Sequence, residues 1–144
     1  MKKIVTFIGA MLLSSSALAT TEHLKASDVW ARSSSAPNHN SAAYMVLENT
    51  SDKDMVINGA ESDVAGSVEL HETFLDEKGV HKMSHVDKIV VPAFSKIELK
   101  PKHTHIMLMN LKQDLKAGEK FKLKLKVGKD GEKDLEVEVR QLGK

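Results

Sequence analysis

Residues 121–140 read FKLKLKVGKDGEKDLEVEVR, and this stretch decides the fold class. Apolar residues alternate with lysines on its first arm and with acidic residues on its second. A period of two is typical of an antiparallel strand with one buried and one solvated face. The turn residues GKDGEKD between the arms predict a hairpin.

Opposite charges on the two arms predict how the hairpin is paired. If Val127 faces Leu135, then Lys126 meets Glu136, and cross-strand pairs of opposite charge are favourable. The lysines then belong to a solvated strand face. With a formal net charge of +1, the chain has no nucleic-acid-binding signature.

Similar short strand patterns, separated by turn residues, fill the rest of the chain. We predict them at 41–49, 55–60, 67–74, 80–86, 88–91, 94–100 and 105–111. LDEKG at 75–79 predicts a hairpin turn, with Gly79 in a left-handed conformation. No amphipathic helix of useful length is present. The sequence therefore predicts an all-β sandwich in a single domain.

The first nineteen residues have the pattern of a secretory signal peptide. A basic MKK precedes an apolar run of about ten residues, which is shorter than the roughly 20 needed to span a membrane. Ala17 and Ala19 are spaced as at a signal-peptidase site. We expect cleavage after Ala19, a periplasmic protein with no membrane span, and a mature domain at 20–144. A lipid anchor would require a cysteine after the apolar run.

The chain contains no cysteine, seven histidines and seven methionines. Without disulfides, its stability must come from packing. Without a thiolate, it cannot form a blue-copper electron-transfer centre. It also has no nucleophile motif and no carboxylate pair at an obvious spacing, so we expect a protein that is not an enzyme.

The segment HTHIMLMNL at 103–111 places soft side chains at alternate positions. On a strand, Ile106 and Leu108 would point into the core, which leaves His105 and Met107 on the other face. Burial alone does not require this pair. A histidine and a thioether two residues apart can converge on one metal ion.

The hairpin 67–86 provides a second pair of this kind. If Phe74 is opposite Val80, then His71 is opposite Met83 on the other face. Two imidazoles and two thioethers form a soft, neutral ligand set, and thioether sulfur selects Cu(I).

The spacing of these four residues resembles a known family signature. His71, eleven residues, Met83, twenty-one residues and then the segment HIM at 105–107 match the PCuAC-type periplasmic copper chaperones. The stretches VWAR (29–32), AAYMVLEN (42–49), VELHE (68–72) and KIVVPAFSKIELKP (88–101) are also similar to that family. The resemblance extends from about Asp28 to Val139.

This resemblance implies a cupredoxin-like Greek-key β-sandwich that binds one Cu(I) through His71, Met83, His105 and Met107. It further implies delivery of copper toward the CuA centre of cytochrome c oxidase. The acceptor would be subunit II of that oxidase or a thioredoxin-like assembly factor. We expect a monomer. Copper buffering for resistance and a structural β-sandwich without a metal are the alternative functions.

Several other histidines and methionines need separate interpretations. We expect Met45 and Met55 to fill the core and Met109 to serve packing. The pattern leaves open whether His81 and His85, which flank Met83, tune the site or are only solvated. His103, where the family would have a small residue, either is a bystander or competes with His105. His39 is expected to be an exposed loop residue.

His23 raises the hypothesis of a second, Cu(II)-binding site. Cleavage after Ala19 leaves TTEH at the amino terminus, whereas cleavage one residue later would leave TEH. The latter could chelate Cu(II) through the amine, backbone nitrogens and imidazole. Thr20 is a poorer cleavage residue than Ala19, which disfavours this arrangement.

Overall fold

The computed structural model describes residues 21–36 and 39–141, and this part of the chain forms ten strands. They are β1 (Leu24–Arg32), β2 (Ser41–Asn49), β3 (Met55–Glu61), β4 (Ala65–Leu75), β5 (His81–His85), β6 (Ile89–Val91), β7 (Lys96–Leu99), β8 (His105–Leu111), β9 (Lys120–Val127) and β10 (Gly131–Arg140). The all-β prediction is confirmed. The predicted signal peptide lies outside the described residues.

The strands follow one hydrogen-bonded path that folds over a single core. Its order is β5-β4-β8-β2-β1-β10-β9-β3-β6, and β7 pairs with the far end of β2. β3 is separated from both β2 and β4 along this path, so its connections skip strands as in Greek-key sandwiches. Every strand except β5 contributes to the core cluster, so the strands share one core as the predicted β-sandwich requires.

The C-terminal hairpin has the predicted faces but a different register. Leu135 faces Leu123, and Val127 faces Gly131, so the predicted pairing of Val127 with Leu135 is wrong by four residues. The turn closes directly after Val127 through Gly128, which has a φ of 63°. A tighter turn lets β10 begin at Gly131, which lengthens the ladder of backbone hydrogen bonds.

β8 occupies the predicted range and has the predicted faces. Ile106 and Leu108 are fully buried. Met45 and Met55 lie in the core, as expected. β8 pairs with β4 on one side and with β2 on the other, so it lies inside the sheet. The residues on its second face therefore have fixed neighbours on both sides.

Phe94 occupies an unusual backbone conformation in the turn between β6 and β7. Its φ is 53°, a left-handed value that bulky residues rarely adopt. The turn is held because the Phe94 amide donates to the Ser51 carbonyl at 3.0 Å and the Ser95 amide to that of Pro92 at 3.2 Å. The Phe94 side chain is 74% exposed, so little burial compensates for the strain.

We expect Phe94→Gly to stabilise the protein by about 1 kcal/mol, because glycine adopts this conformation without a Cβ clash. Thermal unfolding should show a midpoint higher by about 4 °C. Ala93→Gly is the control, since Ala93 does not have a positive φ, and it should lower the midpoint. A lower midpoint in Phe94→Gly would show that the Phe94 side chain makes a stabilising contact.

Candidate metal centre

The candidate site lies on the outer face of β4, β5 and β8. His71 on β4 is directly opposite His105 on β8 and directly opposite His85 on β5. The predicted pairing of His71 with Met83 is therefore wrong by two residues, because Met83 is opposite Thr73. All of these residues still share one face, since an even shift preserves the alternation.

The turn between β4 and β5 explains the observed register. Asp76 pairs with Val80, because the Asp76 amide donates to the Val80 carbonyl at 2.9 Å. The Asp76 carboxylate in turn accepts hydrogen bonds from the amides of Lys78 and Val80. Gly79 adopts the predicted left-handed conformation, with a φ of 77°. This turn makes Asp76, not Phe74, the partner of Val80.

Three of the four predicted ligands line one cleft of about 380 Å³: Met83, His105 and Met107. His81 lies in the same cleft, between Met83 and the hairpin tip. The fourth predicted ligand, His71, is adjacent to it, with its ring centroid 6.0 Å from that of His105. The fold thus brings the two predicted His/Met pairs together from three strands.

His105 is held in one orientation by the backbone. Its Nδ1 lies 2.7 Å from the carbonyl oxygen of His103, so Nδ1 carries the hydrogen and donates. In the neutral ring, Nε2 is then a bare lone pair. Burial is the main cause that lowers the pKa of His105. The hydrogen bond to the His103 carbonyl opposes this effect, and the charges of His71 and Arg32 add to the lowering. A neutral imidazole of this kind is a competent metal ligand.

His71 has the complementary arrangement. Its Nε2 lies 2.8 Å from a carboxylate oxygen of Glu69, and a nitrogen that faces a carboxylate donates. Its Nδ1 is buried and has no hydrogen-bond partner. An unpaired buried acceptor costs free energy, so this nitrogen fits a ligand that binds there. Carboxylate–imidazole pairs of this type orient the histidines of metal sites.

The polar supports of the two histidines were not predicted from the sequence. Glu69 is two residues before His71 and therefore on the same face of the strand. The order of residues in the segment ELH (69–71) could thus have predicted this contact. The contribution of His103 comes from its backbone carbonyl, while its side chain is exposed. His103 is thus placed beside the site without lining the cleft.

The four predicted ligands differ strongly in exposure. His105 is 4% exposed and Met83 is 56% exposed, while His71 and Met107 are half-buried. Met83 lies on β5, which is the edge strand of the sheet. Solvent, or another protein, can therefore reach one ligand while the others remain covered.

The remaining candidates lie elsewhere. Met109 is half-buried opposite Ser67 and does not line the cleft. His39 is exposed, with its Nδ1 3.3 Å from the Ser35 hydroxyl. His23 is exposed beside Thr50, and the Cu(II) hypothesis depends on a chain end that lies outside the described residues.

The cleft combines histidines with methionines. Within residues 21–36 and 39–141, no group of three or more His, Cys, Asp or Glu side chains is placed to hold a metal ion. The thioethers of Met83 and Met107 are the further soft donors that line the cleft beside the imidazoles.

Comparison with known proteins places the chain in a family. The family model described as "LpqE-like: Putative lipoprotein LpqE-like" matches residues 24–139. The chain belongs to the LpqE-like family. "Uncharacterized protein RP573" of Rickettsia prowazekii is 38% identical over 85 residues, which are 58% of this chain and 46% of that protein. The LpqE-like chain spans about half the length of the curated relatives it matches.

Solved structures share the fold of this LpqE-like chain. The copper-bound PCuAC domain from PmoF2 superposes with a TM-score of 0.69 at 21% identity, over 83% of this chain and 93% of that domain. The solution structure of CuI-DR1885 from Deinococcus radiodurans has a TM-score of 0.64 at 27% identity, over 90% of this chain and 87% of that protein. The resemblance to PCuAC domains seen in the sequence is confirmed.

Among the described residues, no helix has the length and apolar character required to cross a membrane.

We expect the His105 ring to be neutral and protonated on Nδ1 in the apoprotein at pH 6.5. Because its folded pKa lies below the ordinary value of about 6.5, an unfolded chain binds more protons in mildly acidic solution. Its contribution to stability is thus present above about pH 6.5 and lost as the pH falls through the folded pKa. Nitrogen NMR of the imidazoles tests the tautomer, and denaturant unfolding tests the pH dependence.

His105→Gln should show a weaker loss of stability between pH 7.5 and 5.5 than the unsubstituted protein, with His103→Gln as the exposed control. A His105 ring that is mainly imidazolium at pH 6.5 would contradict this expectation.

Proposed function

We propose that this protein is a periplasmic Cu(I) chaperone, and not an enzyme, that binds copper through His71, Met83, His105 and Met107. The observation that carries the proposal is that three of these residues line one cleft while His71 is paired directly with His105. The spacing of these four residues along the chain matches the PCuAC signature. Their placement on one face supports it independently.

The donor atoms match Cu(I) in chemistry. Nδ1 of His71 and Nε2 of His105 would offer lone pairs, because the other nitrogen of each ring is committed to Glu69 or to the His103 carbonyl. Met83 and Met107 would add thioether sulfurs, which favour Cu(I) over harder ions. No ligand would need to lose a proton in order to bind.

Nearby positive charges favour a monovalent over a divalent ion and make the bonds between the ion and its ligands easier to break. Arg32 and Lys102 line the same cleft. Their repulsion of a bound cation is twice as large for a divalent ion as for Cu(I) at the same position. The donors themselves are neutral. Glu69, whose carboxylate bonds to the neutral His71 ring, offsets part of the repulsion but is one negative charge beside two positive ones. The site would thus hold Cu(I) in preference to divalent ions and still release it.

Transfer would proceed by ligand exchange through the exposed edge. Met83 is the most exposed of the four proposed ligands, so the donors of an acceptor could bind the ion before His105 releases it. We propose a CuA-site acceptor, either cytochrome c oxidase subunit II or a thioredoxin-like assembly factor. The N-terminal signal pattern and the lipoprotein wording of the family description support a periplasmic location.

The solved relatives support the same function. Two of them are the copper-bound PCuAC domain from PmoF2 and CuI-DR1885. Copper buffering for resistance would use the same ligands and is the alternative. The exposure of Met83 favours delivery, since a store would gain from covering all of its ligands.

We expect the mature protein to bind one tight equivalent of Cu(I) in an anaerobic competition titration. Alanine at His71, Met83, His105 or Met107 should weaken the affinity about tenfold or more, by analogy with the loss of a metal-orienting group. His103→Ala should bind normally, because its backbone carbonyl is retained. Met107→Leu should weaken binding, while Met109→Leu, its matched control on the same face, should not.

Failure of the unsubstituted protein to bind Cu(I) would refute the proposal and leave a structural β-sandwich. Loss of binding in His103→Ala would revise the ligand set.

Delivery and buffering differ in the copper level at which a deletion strain suffers. We expect slow growth and low cytochrome c oxidase activity when copper is limiting, because carriage then controls the loading of the oxidase. Complementation with the Met83→Ala variant should fail, and complementation with Met109→Leu should succeed. A growth defect confined to excess copper would instead indicate buffering.

A further inference from the structure

Three imidazoles lie in a row across strands β5, β4 and β8. His85, His71 and His105 are direct neighbours in the two ladders. The ring centroids of His71 and His85 are 6.1 Å apart, and those of His71 and His105 are 6.0 Å apart. The two spacings are nearly equal, so His71 has an equivalent imidazole neighbour on each side.

Both spacings are within reach of a shared ion. A metal–nitrogen bond is about 2 Å long, and a ring nitrogen lies roughly 1 Å from its ring centroid. Two imidazoles on one ion therefore have centroids at most about 6 Å apart. His71 has one uncommitted nitrogen, Nδ1. It could hold an ion together with His105 or, after its ring turns from β8 toward β5, together with His85.

The row also runs from the interior to the surface. His105 is 4% exposed as a whole residue, while the side chains of His71 and His85 are 14% and 55% exposed. The carboxylate nearest to His85 belongs to Asp87, at 4.0 Å, which is too long for a hydrogen bond. The His85 ring is thus an accessible donor that no strong contact restrains.

We propose that His85 is an outer copper ligand that takes Cu(I) over from His105 on the way to an acceptor. This inference rests on the proposed function, because it concerns the same ion. In the inner position His71, Met83, His105 and Met107 hold the ion. In the outer position His71 and Met83 keep it, and His85 replaces the two β8 residues.

The step is a ligand exchange without redox chemistry. The Cu–N bond to His105 and the Cu–S bond to Met107 break as a Cu–N bond to the neutral His85 ring forms. Copper remains Cu(I), and no electron or proton is transferred. Met83 lies two residues before His85 on the same face of β5, so it can remain bound during the shift.

His81 provides a matched comparison. Like His85, it lies two residues from Met83 on β5, and all five residues of that strand are exposed. Its partner across the ladder is Leu75, not a histidine. If His85 acts through its place opposite His71, then His81 cannot substitute for it.

The test separates binding from release. The full mature protein, loaded with one equivalent of Cu(I) without oxygen, is mixed with excess bathocuproine disulfonate in a stopped-flow instrument, and the equilibrium affinity is measured by competition. We expect His85→Ala to keep its affinity within about threefold and to transfer copper about tenfold more slowly. His39→Ala, at an exposed histidine outside the cleft, should match the unsubstituted protein. His81→Ala should slow transfer less than His85→Ala does, and His85→Met, a soft donor, should recover the rate.

Equal transfer rates for His85→Ala and the unsubstituted protein would overturn the inference while leaving the inner site intact. If copper transfer slows in His81→Ala but not in His85→Ala, the ion leaves through the cleft that His81 lines, and the inference is overturned. A large loss of affinity in His85→Ala would make His85 an inner ligand and would also overturn it. If the unsubstituted protein binds no Cu(I), the proposed function itself fails. This outcome depends on the unsubstituted protein only and is therefore distinct from a failure of the inference about His85.

Discussion

Burial of Ile106 and Leu108 is the constraint on which the site depends. Each removes a large apolar side chain from water, which stabilises the fold by about 1.5–3 kcal/mol per residue. Because side chains alternate along a strand, a slip of one residue would expose both and bury the polar face. The core therefore holds His105 and Met107 outward, and β2 and β4 on either side of β8 fix their neighbours. The orientation of the proposed metal-binding face is a consequence of packing on its reverse side.

The sequence predicted correctly which face of the sheet each of these residues occupies, but it predicted the registers of two hairpins incorrectly. The alternation of side chains along a strand accounts for both results. Alternation with a period of two fixes which face a residue occupies but allows shifts by even numbers. The partner of His71 differs from the prediction by two residues, and the partner of Leu135 by four. Turn geometry decides among the even registers, and it depends on local hydrogen bonds such as those of the Asp76 carboxylate. Composition alone did not reveal them.

Supporting contacts around the ligands were harder to predict than the ligands themselves. The donor types are visible in the sequence because His and Met at fixed spacing are unusual on an outward face. Arg32 and Tyr44 reach the cleft from β1 and β2, at large separations along the chain. Tyr44 packs against Trp30 with ring centroids 4.7 Å apart and lies 6.2 Å from His105. Burial raises the pKa of Tyr44, so the phenol that lines the cleft stays uncharged.

The peripheral position of β5 has a consequence for how such a protein can diverge. All five of its residues are exposed, and none belongs to the core cluster. Substitutions at exposed positions outside the core usually change stability by less than about 0.5 kcal/mol. The donors on this strand can therefore be exchanged almost independently of folding, whereas those on β8 are tied to the packing behind them. Evolution or protein engineering could therefore change the proposed donors on β5, and with them the rate and metal preference of the proposed exchange, while the sandwich itself stays unchanged.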